Sequence, residues 1–200
     1  MDIRGTSREG IVDAALQVFL QDGVAGMSMR KVADAAGITA PAIYRHFQSR
    51  EALLGEIVEI GLRELEEYLR PALRSGTPYE RVRQLADRYL EFALEQPKYF
   101  EVAFLNAGTK IEWLSKELAH PMWDVFRAAI AQIEMGMERG ELRRDDPILT
   151  AILIWATAHG LVTLYRIDRT AAYPKQFREI YRGSMDRLFQ GLRVSEATNA

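Results

Sequence analysis

No cysteine occurs in the chain, so disulfides, thiolate metal sites and cysteine nucleophiles are all excluded. Histidine is scarce as well: only His46, His120 and His159 are present, and HExxH, GxSxG and GxGxxG are all missing. Ala107-Gly108-Thr109-Lys110 has the flavour of a phosphate loop but lacks the first glycine at the required spacing and a Ser or Thr after the lysine. The acidic pairs Glu66-Glu67 and Asp145-Asp146 are adjacent, so on a helix or cap they diverge instead of converging on one substrate atom. No spacing brings three metal ligands together. We therefore expect no enzyme, no metal and no cofactor. No uninterrupted apolar run approaches the roughly 20 residues of a membrane span, and the opening MDIRGTSREG has no apolar segment of the signal-peptide kind, so a cytoplasmic protein is expected.

What is present is helical. Of the 200 residues, 48% are apolar, enough to bury a real core, while strand-like runs are few. Ile11, Ala14, Ala15, Val18 and Phe19 have the spacing of one helical face and predict a first helix from Ser7 to Gln21, ended by Asp22-Gly23. Ser49 is placed to cap a long helix carrying Leu53, Leu54, Ile57, Ile60, Leu62, Leu65 and Leu69, which Pro71 kinks or ends before the break at Ser75 to Pro78. Further helices are predicted at Tyr79 to Glu95, Pro97 to Asn106, near Glu112 to Leu118, Pro121 to Arg139, Pro147 to Ile167 and Pro174 to Leu192, several opened by a first-turn proline. The fold class is all-α.

Between the first helix and the long one, Ser28 to Phe47 reads as two short helices joined at Gly37. Ser28 and Thr39 are N-cap residues, Met27 with Val32 and Ile38 with Ile43 are hydrophobic staples, and Gly37 suits a left-handed helix end. This is the outline of a helix-turn-helix, whose second helix enters the DNA major groove. Charge agrees. Arg30, Lys31, Arg45 and Arg50 against Asp34 give this stretch +3, so the overall net charge of −2 leaves −5 for the rest. Ile43 and Phe47 point inward, while Pro41, Tyr44, Arg45 and Gln48 face out.

The DNA-contacting set expected from this pattern is Ser28, Arg30, Lys31, Thr39, Ala40, Pro41, Ala42, Tyr44, Arg45, His46 and Arg50. Thr39, Tyr44, His46 and Arg50 suit phosphates, Ala40, Pro41 and Ala42 suit thymine methyls, and Arg30 or Arg45 suits a guanine edge. The bland alternative is a three-helix corner with a solvated basic face.

Ile11 to Leu16, Phe19, Gly23, Ser28, Arg30, Val32-Ala33, Ala36 to Thr39, Ile43 to Phe47 and Glu51 to Leu54 together resemble the N-terminal signature of the tetracycline-repressor (TetR) family. The resemblance implies a homodimeric repressor that binds a pseudo-palindromic double-stranded DNA operator and is released by a small-molecule effector. Pro41-Ala42 replaces commoner polar or glycine residues, and Arg50 stands where many members have lysine. Gly140 to Arg143, Asp146-Pro147, Trp155 and His159 to Leu161 are similar to a C-terminal subtype marked by Trp, His and Gly.

On that basis residues 1–48 form the DNA-binding domain and 49–193 the effector-binding and dimerisation domain, with 49–75 connecting and 194–200 a tail. An apolar or amphipathic effector would meet Tyr99, Phe100, Phe104, Trp113, Met122, Phe126, Ile130, Trp155 and His159, although the same set serves equally as core. His159 reads either as a ligand-facing group or as a hydrogen-bonded packing histidine. Ile152, Val162, Phe177, Ile180, Tyr181, Met185, Leu188 and Phe189 form stripes on the last two helices and are the expected dimer seam, a pattern that intrachain burial would also produce. An activator or an effector-independent DNA binder is the alternative within the same class. A helical-bundle enzyme, or a relative that has lost DNA binding, is the alternative outside it.

Overall fold

In a computed structural model, residues 7–104, 122–167 and 174–194 are described. The helices are α1 (Arg8–Gly26), α2 (Met29–Ala36), α3 (Ala40–Ile43), α4 (Arg50–Leu69), α5 (Pro78–Glu95), α6 (Pro97–Phe104), α7 (Met122–Glu138), α8 (Pro147–Ile167) and α9 (Pro174–Leu192). The expected short helix near Glu112 to Leu118 lies outside the described residues. Among those residues the only extended pairing is one isolated bridge, Leu142 with Arg193, so the all-α expectation holds.

Local chemistry explains most boundaries. Ser7 Oγ accepts from the Gly10 amide at 3.0 Å and Ser28 Oγ from the Lys31 amide at 3.2 Å, so two orphan donors are satisfied by N-caps. Thr77 and Glu80 form a complete capping box ahead of α5. Asp146 Oδ1 accepts from the amides of Ile148 and Leu149 and so opens α8. The regular run of α1 stops at Gly23, whose φ of 68° is left-handed, and α4 passes at Pro71 into a 3₁₀ turn, Arg70–Leu73.

Two expectations fail at α3. The predicted Thr39 to Phe47 helix is only Ala40–Ile43, followed by tight turns in which His46 N–H and Phe47 N–H both reach the Ile43 carbonyl. Thr39 makes no side-chain cap. Pro41 removes one amide the cap would have served, and the Ala42 amide donates to the Thr39 backbone carbonyl at 2.8 Å instead.

The chain forms two compact units. The first holds residues up to Glu64 together with α6 from Lys98; the second holds Leu65–Pro97 with α7, α8 and α9. The first unit closes over Ile11, Phe19, Val32, Ile43, Phe47, Leu53, Ile57 and Phe100, all at most 2% exposed. A Cβ on Gly61 of α4 would meet Val102 Cγ1 at 2.8 Å and the Tyr99 carbonyl at 3.1 Å, so only glycine allows α6 to lie this close.

The second unit closes over Leu90, Phe92, Ile133, Val162, Tyr181 and Phe189. Ion pairs join its α5 and α9: Arg83 with Asp186, Arg178 bidentate to Glu91 with Nη2 at 2.7 Å, and Arg182 to Glu91 at 3.2 Å. The stretch Pro147–Arg166 is long and apolar enough to cross a membrane by length and composition. Thr150, Thr157, His159 and Thr163 interrupt it, and one face packs in this unit.

The expected dimer seam needs correction here. Val162, Phe177, Tyr181, Met185 and Phe189 are all below 9% exposed and belong to the chain's own core, while Ile152 and Leu188 are half-buried and Ile180 is exposed. The residues that leave apolar surface outside are different: Leu149 (62%), Leu153 (47%) and Leu164 (68%) on α8, and Ile180 (53%) on α9.

Candidate nucleic-acid interface

Three short elements build the recognition surface. Gly37, left-handed at φ 68°, ends α2 so that the Ile38 amide returns to the Ala33 carbonyl at 3.0 Å, and the chain can turn directly into α3. Met27, Val32 and Ile43 are buried beneath this turn and fix α3 against α2. Above that floor Ser28, Arg30, Lys31, Thr39, Pro41, Tyr44, Arg45 and His46 are exposed, whereas Ala40 and Ala42 are half-buried. Tyr44 is 54% exposed, so its ring and hydroxyl are open to a partner outside the chain.

The hydrogen-bond donors on this surface are not equivalent. Arg30, Arg45 and His46 have no side-chain partner among the described residues, so their donors are available to an external acceptor. Lys31 Nζ pairs with Asp22 at 3.0 Å across an exposed surface, a contact worth little to stability and easily exchanged. Arg50 is different in kind. It is half-buried, and its Nε donates to the Met27 carbonyl at 2.9 Å while Nη2 donates to the Val24 carbonyl at 2.5 Å. Two of its five N–H donors are therefore used inside the unit, a role that the sequence pattern does not announce.

Arg8, absent from the expected set, lies with its guanidinium 4.9 Å above the Phe47 ring and pairs with Glu56 at 2.6 Å. It ties α1 to the end of the recognition segment and to α4. Nothing in the local pattern around Arg8 announces this, because both partners are distant in sequence.

The expected effector residues divide between the units. Tyr99, Phe100 and Phe104 are on α6 in the first unit, where Phe100 is fully buried and tilts against Phe104 at 5.1 Å. Trp113 and the Met122 side chain lie outside the described residues. Phe126, Ile130, Trp155 and His159 are half-buried in the second unit, and three of them form a row: Phe126 is edge-on to Trp155 at 6.1 Å, and Trp155 lies 5.6 Å from the His159 ring.

Tyr89 of α5, which no motif or spacing singles out, completes this row. Its hydroxyl is 2.6 Å from His159 Nδ1. Burial holds the Tyr89 phenol well above its usual pKa and pushes the His159 imidazole below 6.5, so both are neutral near pH 7. His159 is thus hydrogen-bonded as a packing histidine would be, within an aromatic wall.

A depressed histidine carries a definite pH signature. The unfolded chain takes up the proton more readily than the folded one, so stability is fully present above about pH 6.5 and declines as pH falls through the folded value. The melting temperature of the wild type should therefore drop more between about pH 7.5 and pH 5 than that of His159→Gln, which has no such group. Parallel decline of the two proteins would show that burial does not hold His159 neutral.

Arg30 and Arg45, which have no side-chain partner among the described residues, an exposed Tyr44 and a glycine-turned helix pair outline a helix-turn-helix DNA-binding protein. Comparisons identify the family. Residues 11–57 match the model for bacterial regulatory proteins of the tetR family, and residues 82–188 match the tetracyclin repressor-like C-terminal domain. The HTH-type transcriptional repressor KstR2 of Rhodococcus jostii is 35% identical over 80% of this chain and 79% of its own. The uncharacterized HTH-type transcriptional regulator YobS of Bacillus subtilis is 29% identical over 53% of this chain, and the match spans 56% of YobS. Among solved structures, a protein of unknown function from Rhodococcus sp. RHA1 superposes with a TM-score of 0.75 at 24% identity, covering 94% of this chain and 95% of that one. The chain belongs to the TetR family of DNA-binding transcriptional regulators.

Proposed function

We propose that the chain is a repressor that binds a pseudo-palindromic operator as a homodimer and is released by a small apolar or amphipathic effector. The observation that carries the DNA-binding part is the exposed set of Arg30, Tyr44, Arg45 and His46 around α2 and α3, none of which has a side-chain partner among the described residues. Repression is favoured by the name of KstR2, which matches over four fifths of both chains. The domains we assign are a head from residue 1 to 48, an effector and dimerisation domain from 49 to 193 with 49–75 connecting them, and a tail from 194. The working compartment would be the cytoplasm, where the operator DNA is.

The dimer is favoured by one stripe on α8. Leu149, Leu153, Ala156, Gly160 and Leu164 recur at helical spacing on its exposed side, and a Cβ added to Gly160 would meet nothing within 4 Å. Small residues between leucines let a second helix approach closely. A twofold dimer is also what holds two recognition helices at half-sites one helical turn apart.

For the effector, the Phe126, Trp155, His159 and Tyr89 row offers aromatic surface with a neutral hydrogen-bonding pair at one end. A neutral Tyr-His pair can exchange hydrogen bonds with a hydroxyl or carbonyl. Binding would shift the population of dimers away from the spacing that fits DNA.

The test is binding to DNA upstream of the chain's own gene. Affinity should fall steeply with salt, because several phosphate contacts release counterions. Tyr44→Ala should weaken binding to every sequence alike, and Arg30→Ala should relax preference at one base position, with about 1–3 kcal/mol of discrimination lost. Unchanged binding in both variants would remove this surface from the interface.

A further inference from the structure

We infer that Arg50 is a positioning residue that sets the angle of the DNA-reading head on α4, and not a phosphate contact. This rests on the DNA-binding reading above. The guanidinium bridges two carbonyls at the end of α1, Val24 and Met27, from the first residue of α4. Those carbonyls close the irregular turn after Gly23, immediately before the Ser28 cap of α2. Arg50 thus joins the entry of the helix-turn-helix to the start of the helix that follows it.

The electrostatics point the same way. A cation at the N-terminus of a helix is opposed by its own helix dipole, so α4 gives Arg50 no reason to be positive. Carbonyl oxygens at a chain reversal do: the Val24 carbonyl accepts the Met27 amide at 3.3 Å and has a second lone pair to offer, and arginine's planar fork can serve Val24 and Met27 at once. Ser49 meanwhile caps α4 through the Ala52 amide at 3.1 Å, which fixes the backbone from which Arg50 reaches. Arg8 acts in parallel from the other side, on Phe47 and Glu56. The head is held to α4 by two arginines, one at each end of the motif.

Lysine at this position keeps the charge but supplies a point donor in place of a fork. If Arg50 sets the head angle, its loss should loosen the match between the two heads of a dimer and the spacing of their half-sites. A residue that only stabilises the fold would not do this.

The experiment uses full-length protein and duplexes selected by the wild type from a random pool, together with the same duplexes carrying one or two base pairs inserted between half-sites. Arg50→Met and Arg50→Lys are compared with wild type for affinity, for its salt dependence and for discrimination between spacings. Arg50→Met should bind about tenfold more weakly or worse, the scale set by losing hydrogen bonds from a charged donor. Its salt slope should match wild type, its discrimination against the inserted base pairs should shrink, and Arg50→Lys should fall between. Amide exchange without DNA should rise at residues 24–29 in Arg50→Met. A salt slope reduced by about 1.8 per dimer, one phosphate on each protomer, with spacing discrimination intact would overturn the inference and make Arg50 a phosphate ligand. If Arg50→Met does not fold, Arg50→Lys is judged by the same two readouts. A wild type that selects no DNA sequence overturns the function reading itself, an outcome separate from any behaviour of the variants.

Discussion

Leu149→Lys combined with Leu153→Lys should convert the protein into a folded monomer that no longer holds its operator. Both side chains are largely exposed within the chain, at 62% and 47%, so replacing them removes no intrachain core and introduces no buried charge. In a dimer seated on this stripe the same lysines would lie against their symmetry copies, in an interface core where charge is depleted because it loses hydration without gaining a partner. Far-ultraviolet circular dichroism should be unchanged, sedimentation should show one chain in place of two, and operator affinity should fall by about 10²–10⁴, the effective-concentration advantage of holding two heads together. The melting temperature should lose its dependence on protein concentration. A double variant that stays dimeric by sedimentation would place the seam elsewhere.

Much of the fold is legible in the chain because its signals are local. Caps at Ser28 and Ser49, the left-handed Gly37 and the prolines at helix starts each act within four residues, and the structure keeps them. Where the sequence reading fails, two local signals compete or the partner is remote. Thr39 and Pro41 both address the first turn of α3, and the proline prevails by leaving the amide of Ala42 to a backbone carbonyl. Tyr89 and His159 meet across 70 positions, so neither announces the other. Arg50 looks like any exposed cation until α1 ends beside it. The stripes of α8 and α9 show apolar periodicity, which says that a face is covered but not by what. Only the exposures separate Tyr181, wholly inside, from Leu164, largely outside.

That separation gives the second large effect, at Tyr181. The side chain is 0% exposed and is among the largest fully buried groups in the chain. Its hydroxyl donates to the Ala86 carbonyl at 2.7 Å and so ties α9 to α5, while its ring is edge-on to Phe177, one turn earlier on α9, at 6.2 Å. Burial raises the phenol far above its usual pKa, which keeps the donor neutral at any working pH. Tyr181→Ala should therefore cost about 3–5 kcal/mol, as aromatic-to-alanine changes in close-packed cores do, from lost transfer energy and the cavity left behind. In a chain of this length that corresponds to a melting temperature lower by roughly 6–20 °C. Tyr181→Phe keeps the ring and removes only the hydroxyl, so it should cost about 1–2 kcal/mol. If Tyr181 instead belonged to a subunit seam, Tyr181→Ala would yield monomers with near-ultraviolet circular dichroism intact. Loss of that signal together with the large thermal shift is the expected result, because the site lies within one chain.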